Sequence, residues 1–175
     1  MVVDQNIEYK DREYNELSIM FYADREDPTF GVEHLDPELL DYTLDSLDHI
    51  NEYLSKVREK ADIVKDWNKV VLRCGAYVGE VIRHCSTEHT FHWLDYNDAL
   101  ILGKDLLDRY NYSIAPAAVL YRETRWFCFP LAKVEKYLEH GAEHNVKSFA
   151  KVILRQEQRE LNVDGDELIP PSRRI

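Results

Sequence analysis

The feature that most constrains this chain is the stretch from Trp67 to Cys85, where Trp67, Val70, Val71, Cys74, Val78, Val81, Ile82 and Cys85 recur three and four positions apart. Only an α-helix brings residues at that period to one side, so the stretch predicts a helix that starts at Asp62 and buries one broad stripe. Gly75 and Gly79 lie one turn apart inside it. Each costs about 0.5–1 kcal/mol relative to alanine in a helix interior, and the compensation expected is a tight packing contact with close backbone approach.

The flanking segments carry weaker signals of the same kind. Asp36 and Pro37 supply an N-cap and a first-turn proline, and Leu40, Leu44, Leu47, Ile50, Leu54 and Val57 follow at helical spacing, which predicts a helix over 37–59. Leu17 to Tyr22 is a short apolar run of strand length after a polar, loosely held stretch 1–16, and it reads as a strand. Residues 23–35, with Pro28 and Gly31, read as a loop. Beyond Ser86 the apolar residues come in short segments, at Phe91 and Trp93, 100–102, 113–121 and 125–129, which predict two to four antiparallel strands. Pro130 opens a helix carried by Leu131, Val134, Tyr137 and Leu138 and stopped by Gly141 as a left-handed cap. Asn145 then caps a last helix through Val146, Phe149, Val152 and Ile153. The fold expected is α+β, with two long N-terminal helices, a small antiparallel sheet and two C-terminal helices. A length of 175 residues suits one globular domain, 1–160, followed by a polar tail, 161–175, that contains Asp164-Gly165 and Pro170-Pro171.

Charge is distributed unevenly. The net charge is −11, and residues 1–62 hold 17 Asp and Glu against 6 Lys and Arg while residues 63–175 hold 16 of each. An acidic field of this kind repels nucleic acid and anionic membranes and favours a basic protein partner. No apolar run approaches the roughly 18 residues needed to cross a bilayer, and residues 1–10 lack the form of a secretory signal. Three cysteines, Cys74, Cys85 and Cys128, in apolar surroundings suit reduced thiols, so the cytoplasm is the expected location.

Two groups of residues are candidates for function. On the helix predicted from Asp62, Tyr77, Glu80, Arg83 and His84 fall on the face away from the apolar stripe, and Trp93 can wall a shallow binding pocket over them. The plainer account of Glu80 with Arg83 and His84 is an intrahelical ion pair. His84, Cys85, His89 and His92 are dense in histidine, but their spacing fits no common zinc pattern, so neither a metal nor a cofactor is expected. On the helix predicted from Pro37, Asp41, Asp45, Asp48 and Glu52 are spaced four, three and four and line up like charges along one face. That is either a solvated surface or a docking face for a basic partner. Asn162 to Asp166 begins like a calcium loop, but its glycine is misplaced and the segment reads as a turn. P-loop, G-x-G-x-x-G and G-x-S-x-G signatures are absent.

The segment GAYVGEVIR, Gly75 to Arg83, after a long capped helix and before a strand with tryptophan, resembles a pattern in small uncharacterised bacterial domains. The resemblance spans 35–138 and implies an order of helix, helix, strands, helix. It implies no activity. Two functional readings follow from the residues. One is a non-enzymatic interaction domain, of immunity or antitoxin type, whose acidic first third covers a basic surface. The other is a small enzyme or a ligand- or metal-binding domain that uses Glu80, Arg83, His84 and His92.

Overall fold

The computed structural model describes residues 2–107, 118–122 and 126–161. Its centre is the helix that the apolar period predicts, α3 (Ile63–Cys85), and the other elements are arranged around it. In chain order these are α1 (Val2–Ala23), α2 (Ser46–Val57), then after α3 the strand β1 (His92–Asp95) and α4 (Tyr96–Leu107). β2 (Ala118–Arg122), β3 (Trp126–Cys128), α5 (Pro130–His140) and α6 (Val146–Leu161) complete the order. No helix among the described residues is long and apolar enough to cross a membrane.

The fold is α+β, as the residue pattern predicts, with two local corrections before α3 and one after it. Leu17 to Tyr22 is the last part of α1 and not a strand. Tyr14, Ser18 and Phe21 are buried at helical spacing, while Ile19 and Met20 are exposed, so the unbroken apolar run hides a period of 3.6. The helix expected over 37–59 is also interrupted. Pro37–Leu39 forms a single 3-10 turn, and α2 begins only at Ser46. Between them Asp41 Oδ1 accepts from both the backbone N–H and the hydroxyl of Thr43, and Tyr42 takes a left-handed backbone at φ 60°. Local side-chain hydrogen bonds of this sort compete with helical ones, and here they win. Downstream, Leu100 to Leu102 lies in α4 and not in a strand.

The three strands pair antiparallel in the order β1-β2-β3, with Trp93 opposite Leu120 and Leu120 opposite Cys128. Their alternation separates two apolar layers. Trp93, Leu120 and Cys128 face the main core around α3, whereas Leu94, Val119 and Phe127 face a smaller cluster with Ala99, Phe129 and Ala132. The strands expected over 113–121 and 125–129 are thus found as β2 and β3, and their flanks 113–117 and 123–125 lie outside the described residues. Leu161, expected to open the tail, ends α6, and the rest of the tail, 162–175, with the Asn162–Asp166 turn lies outside them as well.

At the C-terminal end, α5 stops at Gly141 as expected, although the glycine sits at φ 95°, ψ −153° and not in the left-handed helical region. That backbone is open almost only to glycine. Arg58 covers the helix end by donating to the carbonyls of Leu138 and Glu139. Asn145 caps α6 by accepting from the Ser148 N–H at 2.8 Å.

Both glycines of α3 are packing sites. A Cβ built on Gly75 would lie 2.8 Å from the backbone Cα of Leu131 in α5, and one on Gly79 would lie 2.2 Å from Cζ2 of Trp93. The Trp93 ring is itself fixed, stacked on Tyr14 with centroids 4.3 Å apart. A side chain at either glycine therefore has to displace backbone or an immobilised indole. Gly79→Leu is expected to cost about 1–3 kcal/mol, which for a domain of this size lowers the melting temperature by roughly 2–4 °C per kcal/mol. A thermal melt checks this, and a shift within about a degree would show that the contact is absent.

Candidate functional site

Tyr77, Glu80, Arg83 and Trp93 do come together, but as an interior network and not as an open face. α3 is buried around nearly its whole circumference in this segment, because α1 covers the side that the apolar stripe leaves over. Glu80 is 1% exposed. Its Oε1 accepts from the Trp93 indole N–H at 2.7 Å and from Arg83 at 2.8 Å, and its Oε2 accepts from Asn15 of α1 at 3.2 Å. Arg83 continues the chain of contacts, donating to the Phe91 carbonyl at 2.9 Å and pairing with Asp11 of α1 at 2.9 Å. Asp11 in turn accepts from the Trp93 backbone N–H and lies 2.8 Å from Nδ1 of His92. Each of these side chains has a hydrogen-bond partner within the protein.

Tyr77 is likewise internal. Its hydroxyl donates to Ser46 and accepts from the Tyr42 backbone N–H, and burial pushes its pKa up to about 12. His84, exposed at its edge, stacks on Tyr42 with centroids 4.8 Å apart, and its Nδ1 lies 2.8 Å from the Glu80 carbonyl oxygen. The histidine-rich segment does not converge: His84 is on Tyr42, His92 on Asp11, and the Cys85 thiol donates to the Tyr42 carbonyl. No group of three His, Cys, Asp or Glu among the described residues could hold a metal ion.

Two residues of the network were not legible as site residues. Asp11 and Asn15 belong to the stretch expected to be loose. Their signal was the spacing of Asp11, Tyr14, Asn15 and Ser18, one side of a helix, and it emerges only once 17–22 is recognised as helical.

The acidic candidates do not share one helix face, since Asp41 sits in the turn before α2, Asp45 at its N-terminal boundary, and Asp48 and Glu52 within it. They nevertheless lie on the surface together with other carboxylates. From Glu26 to Ser55 the chain holds nine Asp and Glu and no Lys or Arg. Lys147 of α6 reaches across to Asp45 at 2.8 Å and to Asp48 at 2.5 Å. These hydrogen bonds lower the Asp45 pKa and raise that of Lys147. Asp45 stays 91% exposed at its side chain even so. Glu38, Asp41 and Glu52 are exposed as well.

The chain matches no protein-family model, no curated protein and no solved structure.

The network is expected to be structural. Glu80→Ala removes a buried carboxylate that holds an arginine and an indole, and breaking such a pair typically costs about 3–5 kcal/mol. Urea denaturation should show that loss, with Glu80→Gln losing less because an amide still accepts from Trp93. A Glu80→Ala protein as stable as the parent would remove the network's structural role. The thiols offer an independent check. Burial raises the pKa of Cys74 and Cys128, and both are almost inaccessible, whereas Cys85 is only half-buried. Alkylation of the native protein is expected to label Cys85 first and the other two only on unfolding.

Proposed function

We propose that this chain is a non-enzymatic protein-interaction domain whose acidic face, residues 26–55, docks a basic partner. The supporting observation is the concentration of charge. Nine carboxylates without one Lys or Arg occupy those thirty residues, while residues 63–175 are neutral. General solubility would be served as well by carboxylates spread over the chain, so the segregation calls for a local cause. Lys147 answers two of these carboxylates from within the fold and Lys69 with Arg73 answers a third, Asp27, while the rest face solvent. A partner's lysines and arginines would relieve the mutual repulsion that the free protein carries. A neutralising protein of immunity or antitoxin type fits this chemistry, in a cytoplasm where three unpaired cysteines stay reduced. The same field disfavours nucleic acid, which needs counter-charge for its phosphates.

An enzyme or ligand site on Glu80, Arg83, His84 and His92 draws less support, because a substrate or metal would have to displace contacts that hold α1, α3 and β1 together.

The test begins with affinity capture from the native host and continues with association kinetics on the recovered partner. Glu38→Lys with Glu52→Lys reverses two exposed charges for which the described residues show no ion pair. The double variant should fold normally and associate at least about tenfold more slowly at low salt, with the difference shrinking as ionic strength rises. An unchanged on-rate would reduce the acidic face to a solvated surface.

A further inference from the structure

Between β3, α5 and α6 lies a cavity of about 290 Å³, touched neither by the polar network nor by the acidic face. Its floor is apolar, formed by the nearly buried Phe127, Phe129 and Ala132. Phe149, Val152 and Ile153 of α6 make one wall, which is open to water because Val152 is 53% exposed. The rim carries Lys133, Lys136 and His144. Two lysines therefore stand at an apolar opening on a protein whose net charge is −11.

Lys133 is partly buried and set against an aromatic ring. Lys10, Lys65, Lys69 and Lys147 each pair with a carboxylate at 2.5–2.8 Å. The Lys133 ammonium instead rests 5.8 Å over the Phe149 ring, and among the described residues no carboxylate pairs with it. Burial, and then the neighbouring Lys136, lower its pKa, and burial followed by Lys133 lowers that of His144. An ammonium held against apolar surface beside a second cation has lost hydration without gaining a counter-charge. An anion that enters with its own apolar body restores both.

We propose that this cavity is a binding site for a small amphiphilic carboxylate, its apolar body lying on Phe129, Ala132 and Ile153 and its carboxylate held by Lys133. Charge-assisted hydrogen bonds from an ammonium to a carboxylate are among the stronger ones available. The volume falls at the small end of ligand pockets, which run about 300–1,000 Å³, so a single ring or a chain of medium length fits and a nucleotide cofactor does not. The site is independent of the acidic face, and the failure of either reading leaves the other standing.

Titration of the full chain, followed by amide chemical shifts, with octanoate, 1-octanol and acetate separates the contributions. Octanoate is expected to shift resonances confined to β3, α5 and α6. Octanol lacks the charge and acetate the apolar body, and both should bind at least about tenfold more weakly. Lys133→Met should weaken octanoate by about tenfold or more and leave octanol unmoved. Val152→Glu places a carboxylate on the exposed wall and should weaken octanoate similarly without touching Lys133, which keeps the test decisive if the first variant folds poorly. The proposal is overturned if millimolar octanoate moves no resonance, if octanol binds as tightly as octanoate, or if a folded variant binds octanoate like the parent.

Discussion

The Glu80 carboxylate lies at the point where α1, α3 and β1 meet, and it is almost wholly withdrawn from water. A charge in such a place is tolerable only when its lone pairs are filled by donors that the fold itself supplies, because an unpaired buried ion costs several kcal/mol. Asn15 supplies one from α1, Arg83 one from the next turn of α3, and Trp93 one from β1. None of the three elements can shift without stranding that charge. Asp11 repeats the arrangement a few ångströms away by holding Arg83 and the backbone of Trp93 together. The network thus sets the register in which an amphipathic helix and a short strand meet, a choice that apolar contacts alone leave loose.

Around this point α3 is enclosed on every side, and the enclosure explains its composition. A helix buried all round needs close neighbours in several directions, and the two glycines supply them: Gly75 admits the backbone of α5, and Gly79 admits the Trp93 indole whose N–H reaches Glu80. The indole is held from the other side by Tyr14, so the glycine, the carboxylate and the aromatic stack are one assembly. The conformational cost of glycine in a helix, about 0.5–1 kcal/mol each, is small beside the burial of a tryptophan and a carboxylate with satisfied partners.

Charge is segregated across the same scaffold. The carboxylates of 26–55 lie on the turns before α2 and on its outer side, where Lys147 of α6 provides an internal tie. Lys133 and Lys136 of α5 stand with His144 at the cavity beside β3. Helix α6 contributes to both places, with Lys147 in its first turn and Val152 further along. A protein whose net charge comes from one segment presents different electrostatic surfaces to different ligands, and long-range attraction acts on each separately within a Debye length of roughly 8–10 Å.

The amino-acid pattern by itself determined α3, α5 and α6, the Asn145 cap of α6, the α+β class and the strands around Trp93, Leu120 and Phe127, because each rests on local periodicity or on a cap residue within a few positions. It also determined that Gly75 and Gly79 need close neighbours. Only the tertiary structure decided that Leu17 to Tyr22 is helical, since a continuous apolar run carries no period until a core shows which members it buries. It decided too that the helix expected from Pro37 breaks at Tyr42, where hydrogen bonds of Asp41 and Tyr77 outweigh the leucine spacing. The role of Glu80 was beyond local reading for the same reason. A charged residue on the polar side of one helix reads as solvent-facing, and it becomes an interior group only when a second helix, distant in sequence, arrives with Asn15 and Asp11 to cover it.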